Sequence, residues 1–441
     1  MSGSIYAFVE DILSKLQTAH PDPRGRGVDL AGSTRSLAVA FLSPAWPMDT
    51  AANGIVSYVD GMTGALRRLG HYACILSAHS TYVNAPADVY LLEQEKRSLL
   101  AQIRESLGFR IDPARALRVR FARALARAAR RAVTERGIEL LEMEETFGLV
   151  QLVKPQLPVP VVVRLHGPHF LIGKALGVPI NTGFNRRVRD EGVGIAKADA
   201  VSAPSRDLLE RTRAYYGLPL AEAVIIPNPA PAVPAERRWS LGECDRSRLL
   251  FVGRFDRVKG GDVVINAFNQ VVQRAPQLRL WIAGPDQGLT DEHGHHRTLA
   301  KYIAERAPDV AGRIDWLGQQ PNSAVAELRR KAFMTIVASR YENFPMVVLE
   351  AMTYSCPLVA TRIGGITEMI KHGVNGMLVS PGDTDDLAAN IIRLLEAPAL
   401  AAKLGQRAGE DAARRYHPDI IGRETAAFYQ ALLKDRNRLA C

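Results

Sequence analysis

The sequence contains little cysteine, and the cysteines that it has are scattered. Four occur in 441 residues, with no Cys-x-x-Cys pair and no zinc spacing; they are Cys74, Cys244, Cys356 and Cys441. This distribution argues against a disulfide framework and against a structural metal site. We therefore expect a cytoplasmic protein in a reducing environment.

Long apolar runs are missing as well. No run approaches the roughly 18 residues that a membrane-spanning helix needs. Near the start, Glu10 and Asp11 stand where a signal peptide would have its apolar core. The sequence predicts neither a membrane span nor a secretory leader, and it leaves open a peripheral position on the inner face of the plasma membrane.

What the chain does have is an ordinary globular composition with an excess of positive charge. Hydrophobic residues make up 47% and charged residues 23%, and the formal net charge is +10. The length suggests about two or three domains. The positive charge favours anionic partners, such as nucleotide sugars, anionic lipid surfaces or nucleic acid.

The most informative stretch is residues 339–350, SRYENFPMVVLE. The apolar run before it predicts a buried parallel strand, and Pro345 begins a predicted helix. Glu342 and Glu350 lie on either side of this turn. Ligands of α/β proteins bind at such turns, and the first N–H groups of the helix suit a phosphate. An exposed loop acid and an ordinary helix acid would give the same spacing. The spacing alone therefore does not establish a binding site, and the surrounding segments must be considered.

A second predicted strand-to-helix turn carries two cations, Arg254 and Lys259. Glycines flank them at Gly253, Gly260 and Gly261. Unhindered backbone and charge-assisted hydrogen bonds are what a diphosphate needs. The alternative is a pair of solvated surface cations.

The first half of the chain offers two further candidates. His166 follows a predicted buried strand, and a histidine just beyond the carboxyl end of a strand points into the cleft of an α/β fold. Gly54 precedes a predicted helix that is closed by Gly70. A packed loop histidine and an ordinary loop glycine are the alternatives.

The ordered motifs of residues 247–385 resemble those of the retaining GT-B glycosyltransferases of family 4. Glu342 and Glu350 match the family's E-x7-E motif, and residues 253–260 match its G-R-x4-K-G turn. The other matching segments, in the family order, are IAG at 282–284, LG at 317–318, CPLVAT at 356–361, GGITEMI at 364–370, NGMLV at 375–379 and PGD at 381–383. The first half matches more loosely, since Asn53 and Gly54 stand where the family usually has two glycines.

The resemblance implies an α/β protein of GT-B architecture, in which two Rossmann-like α/β/α domains face an interdomain cleft. We expect an N-terminal extension at 1–36 and an acceptor-side domain at 37–232. A linker at 233–247 and a nucleotide-sugar-binding domain at 248–415 would follow. A crossover helix at 416–441 would return to the first domain.

The resemblance also implies an enzyme that transfers a hexosyl group from a nucleoside diphosphate sugar to an acceptor hydroxyl with retention of configuration. Its pathway would be the synthesis of a bacterial polysaccharide, lipopolysaccharide or glycolipid, with a glycan or lipid-linked acceptor and no separate cofactor. Two alternatives stay open. One is a nucleotide-sugar epimerase or hydrolase of the same architecture, and the other is a non-catalytic, membrane-associated scaffold.

By the same resemblance, Arg254 and Lys259 would stabilise the leaving diphosphate. Glu342 would face the sugar, His166 would contact it, and Glu350 would accept hydrogen bonds from the ribose. The remaining donor-binding positions would be Gly54, Gly318, Asn343, Phe344, Met346 and Val347.

Residues 110–136 contain nine arginines and two acids. Leu117, Phe121 and Leu125 recur every four positions, which predicts an amphipathic helix with a basic face. This face is either solvated or docks on anionic lipid headgroups or a phosphate-bearing acceptor. No set of stacking aromatics and no known binding motif accompanies the arginines, so we expect no nucleic-acid partner.

Asp383 and Asp385 form a D-x-D pattern of the kind found at metal sites. They follow Pro-Gly and precede an apolar-periodic segment, which is typical of the acidic first turn of a helix. We therefore expect no metal site here.

Overall fold

The computed structural model describes residues 35–47, 53–81, 85–93, 112–290 and 295–440. Almost all of the predicted extension at 1–36 lies outside the described residues. So do part of the loop before Gly54 and the first two residues of the arginine-rich segment.

Seven parallel strands form the sheet of the first half, in the order β3-β2-β1-β4-β5-β6-β7. They are β1 (Ala38–Ser43), β2 (Tyr72–Ser77), β3 (Val89–Leu91), β4 (Leu140–Glu144), β5 (Val161–Arg164), β6 (Ala200–Ala203) and β7 (Val224–Ile225). Apolar side chains dominate the central strands because helices cover both faces of the sheet.

The described α-helices of this half are α1 (Gly54–Arg68), α2 (Pro113–Arg136), α3 (Val150–Val153), α4 (His169–Ala175), α5 (Thr182–Lys197) and α6 (Arg206–Tyr216). Asn53 caps α1, because its Oδ1 accepts a hydrogen bond from the Ile55 amide at 2.9 Å. Ser205 caps α6, because its Oγ accepts a hydrogen bond from the Leu208 amide at 3.3 Å. Asn53 thus has a capping role at the position where the family usually has a glycine.

The second half contains a six-stranded parallel sheet in the order β12-β9-β8-β13-β14-β15 and a small antiparallel pair, β10-β11. The strands are β8 (Asp245–Val252), β9 (Arg279–Ala283), β10 (Leu289–Thr290), β11 (His296–Arg297), β12 (Ile314–Gly318), β13 (Ala332–Val337), β14 (Leu358–Thr361) and β15 (Met377–Val379). The helices are α7 (Gly261–Arg274), α8 (Leu299–Arg306), α9 (Asn322–Lys331), α10 (Met346–Thr353), α11 (Ile366–Met369), α12 (Thr384–Glu396), α13 (Pro398–Arg415) and α14 (Pro418–Ala440).

The D-x-D segment begins a helix, as the sequence indicated. Asp383 is the N-cap of α12, and its Oδ1 accepts hydrogen bonds from the amides of Asp385 at 3.1 Å and Asp386 at 2.9 Å. Its carboxylate therefore satisfies free backbone donors of the helix.

Part of the predicted linker at 233–247 is built into the second half of the molecule. Trp239 is buried in the core around β8 and α7. Its indole Nε1 donates to the Ala332 carbonyl at 2.8 Å. Strand β8 also begins within this segment, at Asp245. The segment predicted as a linker is therefore folded into the second half over part of its length.

The final helix, α14, returns to the first sheet. Ile421, Phe428 and Tyr429 pack in the core formed by β1 and α1. The Tyr429 hydroxyl also donates to Glu142 Oε2 at 2.6 Å. The two ends of the described chain are thus packed into one core.

Glu142 is the centre of a buried polar cluster, which we call the Glu142 cluster and which comprises Tyr58, Glu142, Arg164, Asn228 and Tyr429. Glu142 also accepts a hydrogen bond from the Tyr58 hydroxyl at 2.8 Å. Arg164 is only 1% exposed, lies 4.8 Å over the Tyr58 ring and donates to Asn228 Oδ1 at 2.8 Å. Burial raises the pKa of Glu142, and the charge of Arg164 opposes that rise.

The arginine-rich helix, α2, packs on the first sheet through small side chains and through part of the predicted apolar stripe. Ala122, Ala126 and Ala129 are buried. Leu125 is buried in the core, whereas Leu117 is 56% exposed. The stripe of Leu117, Phe121 and Leu125 therefore runs from the surface into the core. None of the described helices combines the length and apolarity that crossing a membrane requires.

Candidate active site

Glu342 lies in the turn between β13 and α10, where it is almost fully buried. Its Oε1 accepts hydrogen bonds from Lys259 Nζ at 2.6 Å and from Ser339 Oγ at 2.8 Å. Lys259 lies in the turn after β8, which is the neighbour of β13 in the sheet. The structure thus brings two of the predicted site residues into direct contact at the carboxyl end of the second sheet.

Asp256, which sequence reasoning missed, fixes the turn that carries both cations. Its Oδ1 accepts from the Lys259 amide at 2.7 Å, and its Oδ2 accepts from Arg254 Nε at 2.7 Å. Arg254 and Lys259, the two cations predicted to bind a diphosphate, therefore lie on a turn that Asp256 holds in place. The only signal in the sequence was the position of Asp256 inside the G-R-x4-K-G turn.

Gly260 allows the turn after β8 to approach the end of β13. Its φ of +72° lies in the left-handed region, and a Cβ atom there would be 2.0 Å from the Ala338 carbonyl oxygen. Nearby, the guanidinium of Arg340 binds both carboxylate oxygens of Asp262 at 2.7 Å. Because two parallel hydrogen bonds fix direction as well as distance, this pair locks the two turns together.

Glu350 lies on α10 and forms an ion pair with Arg329 of α9. Arg329 is only 2% exposed, and sequence reasoning did not identify it. A carboxylate has two oxygens with several acceptor positions, so pairing with Arg329 leaves capacity for further hydroxyl donors. Arg329 therefore holds the Glu350 side chain in place for the role that the sequence suggested.

The start of α10 completes this side of the site. Pro345 is the N-cap residue, and Met346 and Val347 form the half-buried first turn. The N–H groups of a first helical turn have no intrahelical carbonyl partner and carry partial positive charge. Phe344 is buried and packs against Tyr416 at a ring distance of 5.6 Å. The turn thus presents donors and is anchored by an aromatic side chain.

His166 follows β5 at the edge of the first sheet that faces this site. Burial, and secondarily the charge of Arg164, lower its pKa to about 3. Its ring packs edge-on against Tyr58 at 5.0 Å, and its carbonyl oxygen accepts a hydrogen bond from Asn343 Nδ2. At neutral pH His166 is uncharged, so it can hydrogen-bond to a ligand but cannot supply a positive charge.

Two further contacts join the halves of the molecule. The Glu368 carboxylate accepts from the amides of Arg206 at 3.0 Å and Asp207 at 2.9 Å, at the start of α6. Asn228 Nδ2 donates to the Phe344 carbonyl at 3.4 Å. Together with the Asn343–His166 contact, these bonds place the carboxyl ends of the two sheets opposite each other.

Gly54 and Gly318 are not brought against the Lys259–Glu342 pair. Gly54 is the first residue of α1, and Gly318 ends β12 with a φ of +65°. At both positions, no heavy atom of the described residues lies within 4 Å of where a Cβ would be, apart from the chain neighbours and the backbone of the glycine's own helix. The predicted donor contacts of both glycines stay predictions.

Chelation should not inhibit the protein strongly, because two cations already stand where the diphosphate is expected. Within the described part of the chain, no group of three or more His, Cys, Asp or Glu side chains has metal-site geometry. We expect activity with EDTA to stay within about twofold of the untreated value, since charge neutralisation would come from Arg254 and Lys259. Complete inhibition that Mg²⁺ or Mn²⁺ reverses would contradict this prediction.

The contribution of Glu144 to the stability of the protein should fall as the pH rises from about 5 to 7. Burial raises the pKa of Glu144, at the end of β4, to about 7. The folded protein then binds this proton more tightly than the unfolded chain, so the contribution to stability is lost as the pH passes through the raised pKa. We expect a smaller decline of Tm with pH in Glu144→Gln, measured by thermal unfolding. The exposed variant Glu222→Gln should behave like the parent protein, and an unchanged slope in Glu144→Gln would contradict the prediction.

Comparison with known proteins gives two family matches that follow each other along the chain. Residues 52–232 match the model described as Glycosyltransferase Family 4. Residues 235–411 match the model described as Glycosyl transferases group 1. The boundary between the two matches falls at the start of the predicted linker.

Among curated proteins, a D-inositol 3-phosphate glycosyltransferase from Nocardiopsis dassonvillei is 33% identical over 266 residues. The match covers 58% of this chain and 61% of that relative, so the chain spans about three fifths of its length.

Among solved structures, a sucrose-phosphate synthase from Thermosynechococcus elongatus aligns with a TM-score of 0.68 at 19% identity, over 91% of this chain and 100% of that one. Anabaena HepE in complex with UDP-glucose aligns with a TM-score of 0.65 at 17% identity, over 90% of this chain and 100% of that one. At these identities the likeness shows the fold, and the predicted two-domain α/β architecture of the GT-B type is confirmed.

Proposed function

Because the chain belongs to the family 4 glycosyltransferases, we propose that it transfers a sugar from a nucleoside diphosphate sugar to an acceptor hydroxyl with retention of configuration. The contact of Lys259 Nζ with Glu342 at 2.6 Å, beside the free amides of α10, is the observation on which we base this. A cation suited to a phosphate and an acid suited to a sugar thus lie side by side at the carboxyl end of a parallel sheet, where such ligands bind, and this supports the proposal.

In this proposal the diphosphate lies between Arg254, Lys259 and the first amides of α10. These donors stabilise negative charge as the bond between the sugar C1 and the phosphate oxygen breaks. The acceptor oxygen forms its bond to C1 on the same face, and its proton passes to the leaving phosphate oxygen. No side chain acts as a covalent nucleophile, and no cofactor is needed.

The acids have separate roles. Glu342, held by Lys259 and Ser339, hydrogen-bonds to the sugar, and Glu350, held by Arg329, accepts from the ribose hydroxyls. His166 contacts the sugar from the first domain as a neutral imidazole. This arrangement favours an enzyme over a non-catalytic scaffold, since a scaffold has no need for two acids that are each held by a buried or half-buried cation.

The relatives support the donor class but leave the acceptor open. One is named as a D-inositol 3-phosphate glycosyltransferase, and HepE was crystallised with UDP-glucose. We place the reaction in the synthesis of a polysaccharide, lipopolysaccharide or glycolipid on the cytoplasmic side of the membrane.

A donor screen tests the function. The purified protein is given UDP-, GDP-, ADP- and dTDP-sugars, and nucleotide release is measured with and without candidate acceptors. We expect release that depends on both a particular donor and an acceptor. Release without an acceptor would indicate a hydrolase, and conversion of the donor sugar without release would indicate an epimerase. No turnover of any donor would favour the scaffold.

Peripheral membrane contact through 110–136 is a separate prediction. Arg118 forms an ion pair with Asp190 and is left unchanged, and the arginines to change are Arg123, Arg127 and Arg130. Arg127 and Arg130 each donate one hydrogen bond to a backbone carbonyl, that of Glu93 and that of Gln156 respectively. Each arginine near an anionic surface contributes about 1 kcal/mol, and salt screens this attraction. We expect the parent protein to sediment with anionic vesicles at low salt. The variant in which all three arginines are changed to Gln should stay in the supernatant. Equal binding to neutral and anionic vesicles by the parent protein would contradict the prediction.

A further inference from the structure

A second pocket, separate from the Lys259–Glu342 site, lies in the first domain. Its volume is about 800 Å³. Residues that follow β1, β2, β3 and β4 form one side, and α2 and α5 form the other. All of its lining residues lie between 42 and 187, so it shares none with the site in the second sheet. Its position at the carboxyl ends of parallel strands is where α/β proteins bind ligands.

The interior of this pocket is largely apolar and accessible. Leu117 is 56% exposed and Phe147 is 43% exposed, and Phe121 also lines the pocket. Exposed large apolar side chains are ordinary when single, but several in one concavity mark a binding surface. These three side chains would cover an apolar group of a ligand.

Phe147 is held in the pocket by strained backbone. Its φ of +58° lies in the left-handed region, which is unfavourable for a bulky side chain. Its amide donates to Glu191 Oε1 at 3.2 Å, and the Arg187 guanidinium lies 4.0 Å over its ring. The surrounding contacts thus enforce a conformation that presents the ring to the pocket.

The same lining carries positive charge. Among the described residues that line the pocket, five are arginines and Glu144 is the one acid; the arginines are Arg115, Arg118, Arg120, Arg186 and Arg187. Asp190, Asp112 and Glu191 pair with Arg118, Arg186 and Arg187 respectively. Such pairs fix a guanidinium in place and leave some of its five N–H groups to donate to a phosphate. A pocket lined by both apolar side chains and arginines is complementary to an anionic amphiphile.

We propose that this pocket binds the acceptor, and that the acceptor is a lipid that carries both a phosphate and the hydroxyl that receives the sugar. The arginines of the lining bind the phosphate, and Leu117, Phe121 and Phe147 cover the first carbons of the lipid chain. The identification of this ligand as the acceptor rests on the proposed function. The binding itself does not, because it requires neither donor nor transfer.

Calorimetric titration of the full chain tests the binding. The probes are n-decyl phosphate, inorganic phosphate and n-decyl glucoside, each below its micelle-forming concentration. We expect decyl phosphate to bind at least about tenfold more tightly than either of the others, because only it satisfies both the charge and the apolar surface. Equal binding of inorganic phosphate would overturn the lipid part of the proposal, and equal binding of decyl glucoside would overturn the phosphate part.

Matched variants locate the binding site. Arg115→Gln and Leu117→Ser change exposed lining residues of α2, and each should weaken decyl phosphate binding about tenfold. Arg189→Gln removes an exposed arginine of α5, the other helix of the pocket, at a position outside the lining, and it should leave the affinity unchanged. An equal loss in Arg189→Gln, or no loss in the other two, would overturn the assignment to this pocket.

The two proposals can fail separately. Binding of decyl phosphate with this dependence on Arg115 and Leu117, in a protein that turns over no donor, would uphold the pocket and remove the proposed function. Donor-dependent transfer to an uncharged soluble acceptor, with no binding of decyl phosphate, would uphold the function and overturn the lipid-phosphate acceptor.

Discussion

Replacing Lys259 by alanine is expected to lower kcat/KM for sugar transfer by about a hundredfold or more. The variant loses a charge-assisted contact with the diphosphate, worth roughly 1.5–3 kcal/mol, part of which is expressed only as the leaving group gains charge. It also leaves Glu342 without its cation, which disturbs the residue expected to face the sugar. Initial rates with the donor found in the screen measure the effect. Arg254→Ala should lower transfer by at least about tenfold for the same electrostatic reason.

Two controls separate this effect from a loss of folding. Lys301→Ala removes an exposed lysine of the same domain, whose partner Glu305 is 3.9 Å away, and it should retain the parent rate. The double variant Lys259→Ala/Glu342→Gln should recover the Tm of the parent protein but not its rate, since the unpaired charge is removed while the diphosphate contact stays lost. A parent-like rate in Lys259→Ala would remove the diphosphate assignment.

Replacing Arg164 by methionine is expected to destabilise the protein by roughly 3–5 kcal/mol, seen as a fall in Tm of about 10 °C. Methionine fills similar space, so the main loss is the positive charge near buried Glu142. The Glu142 cluster then holds a carboxylate with two tyrosine donors but no cation. Thermal unfolding measured at neutral pH gives the size of the effect.

The double variant Arg164→Met/Glu142→Gln tests the cause. If the unpaired charge is responsible, the second change should recover at least about half of the lost stability, because it removes the charge that Arg164 compensates. Arg211→Met changes an exposed arginine that pairs with Asp207, and it should alter stability by less than about 0.5 kcal/mol. Additive losses in the double variant would show that Arg164 acts through packing alone.

The sequence predicted elements well where the signal was local. Pro345 is the N-cap of α10, and Asp383 begins α12. Each of these rests on side chains within a few positions of one another. The E-x7-E spacing correctly located the turn at which Lys259 and Glu342 meet, although nothing in the spacing showed that they pair directly.

Partners that lie far apart in the chain could not be predicted. Glu142 meets Tyr58 and Tyr429 only because α1 and α14 pack on the same face of one sheet. Arg329 is one of three basic residues in the last turn of α9, where arginine is common for reasons of helix polarity. Its burial against Glu350 depends on how α9 and α10 pack, which no periodicity in either helix reveals.

The return of α14 to the first sheet has a consequence for the order in which the chain folds. The hydroxyl of Tyr429 and the carboxylate of Glu142 are 287 positions apart, yet they meet in one core. During synthesis the first sheet emerges long before Ile421, Phe428 and Tyr429. The apolar surface that these residues cover therefore stays exposed until the second domain has left the ribosome. We expect chaperone association with nascent chains to persist until residues 418–440 have emerged, and the native state of the first domain to be reached last, although its strands are made first.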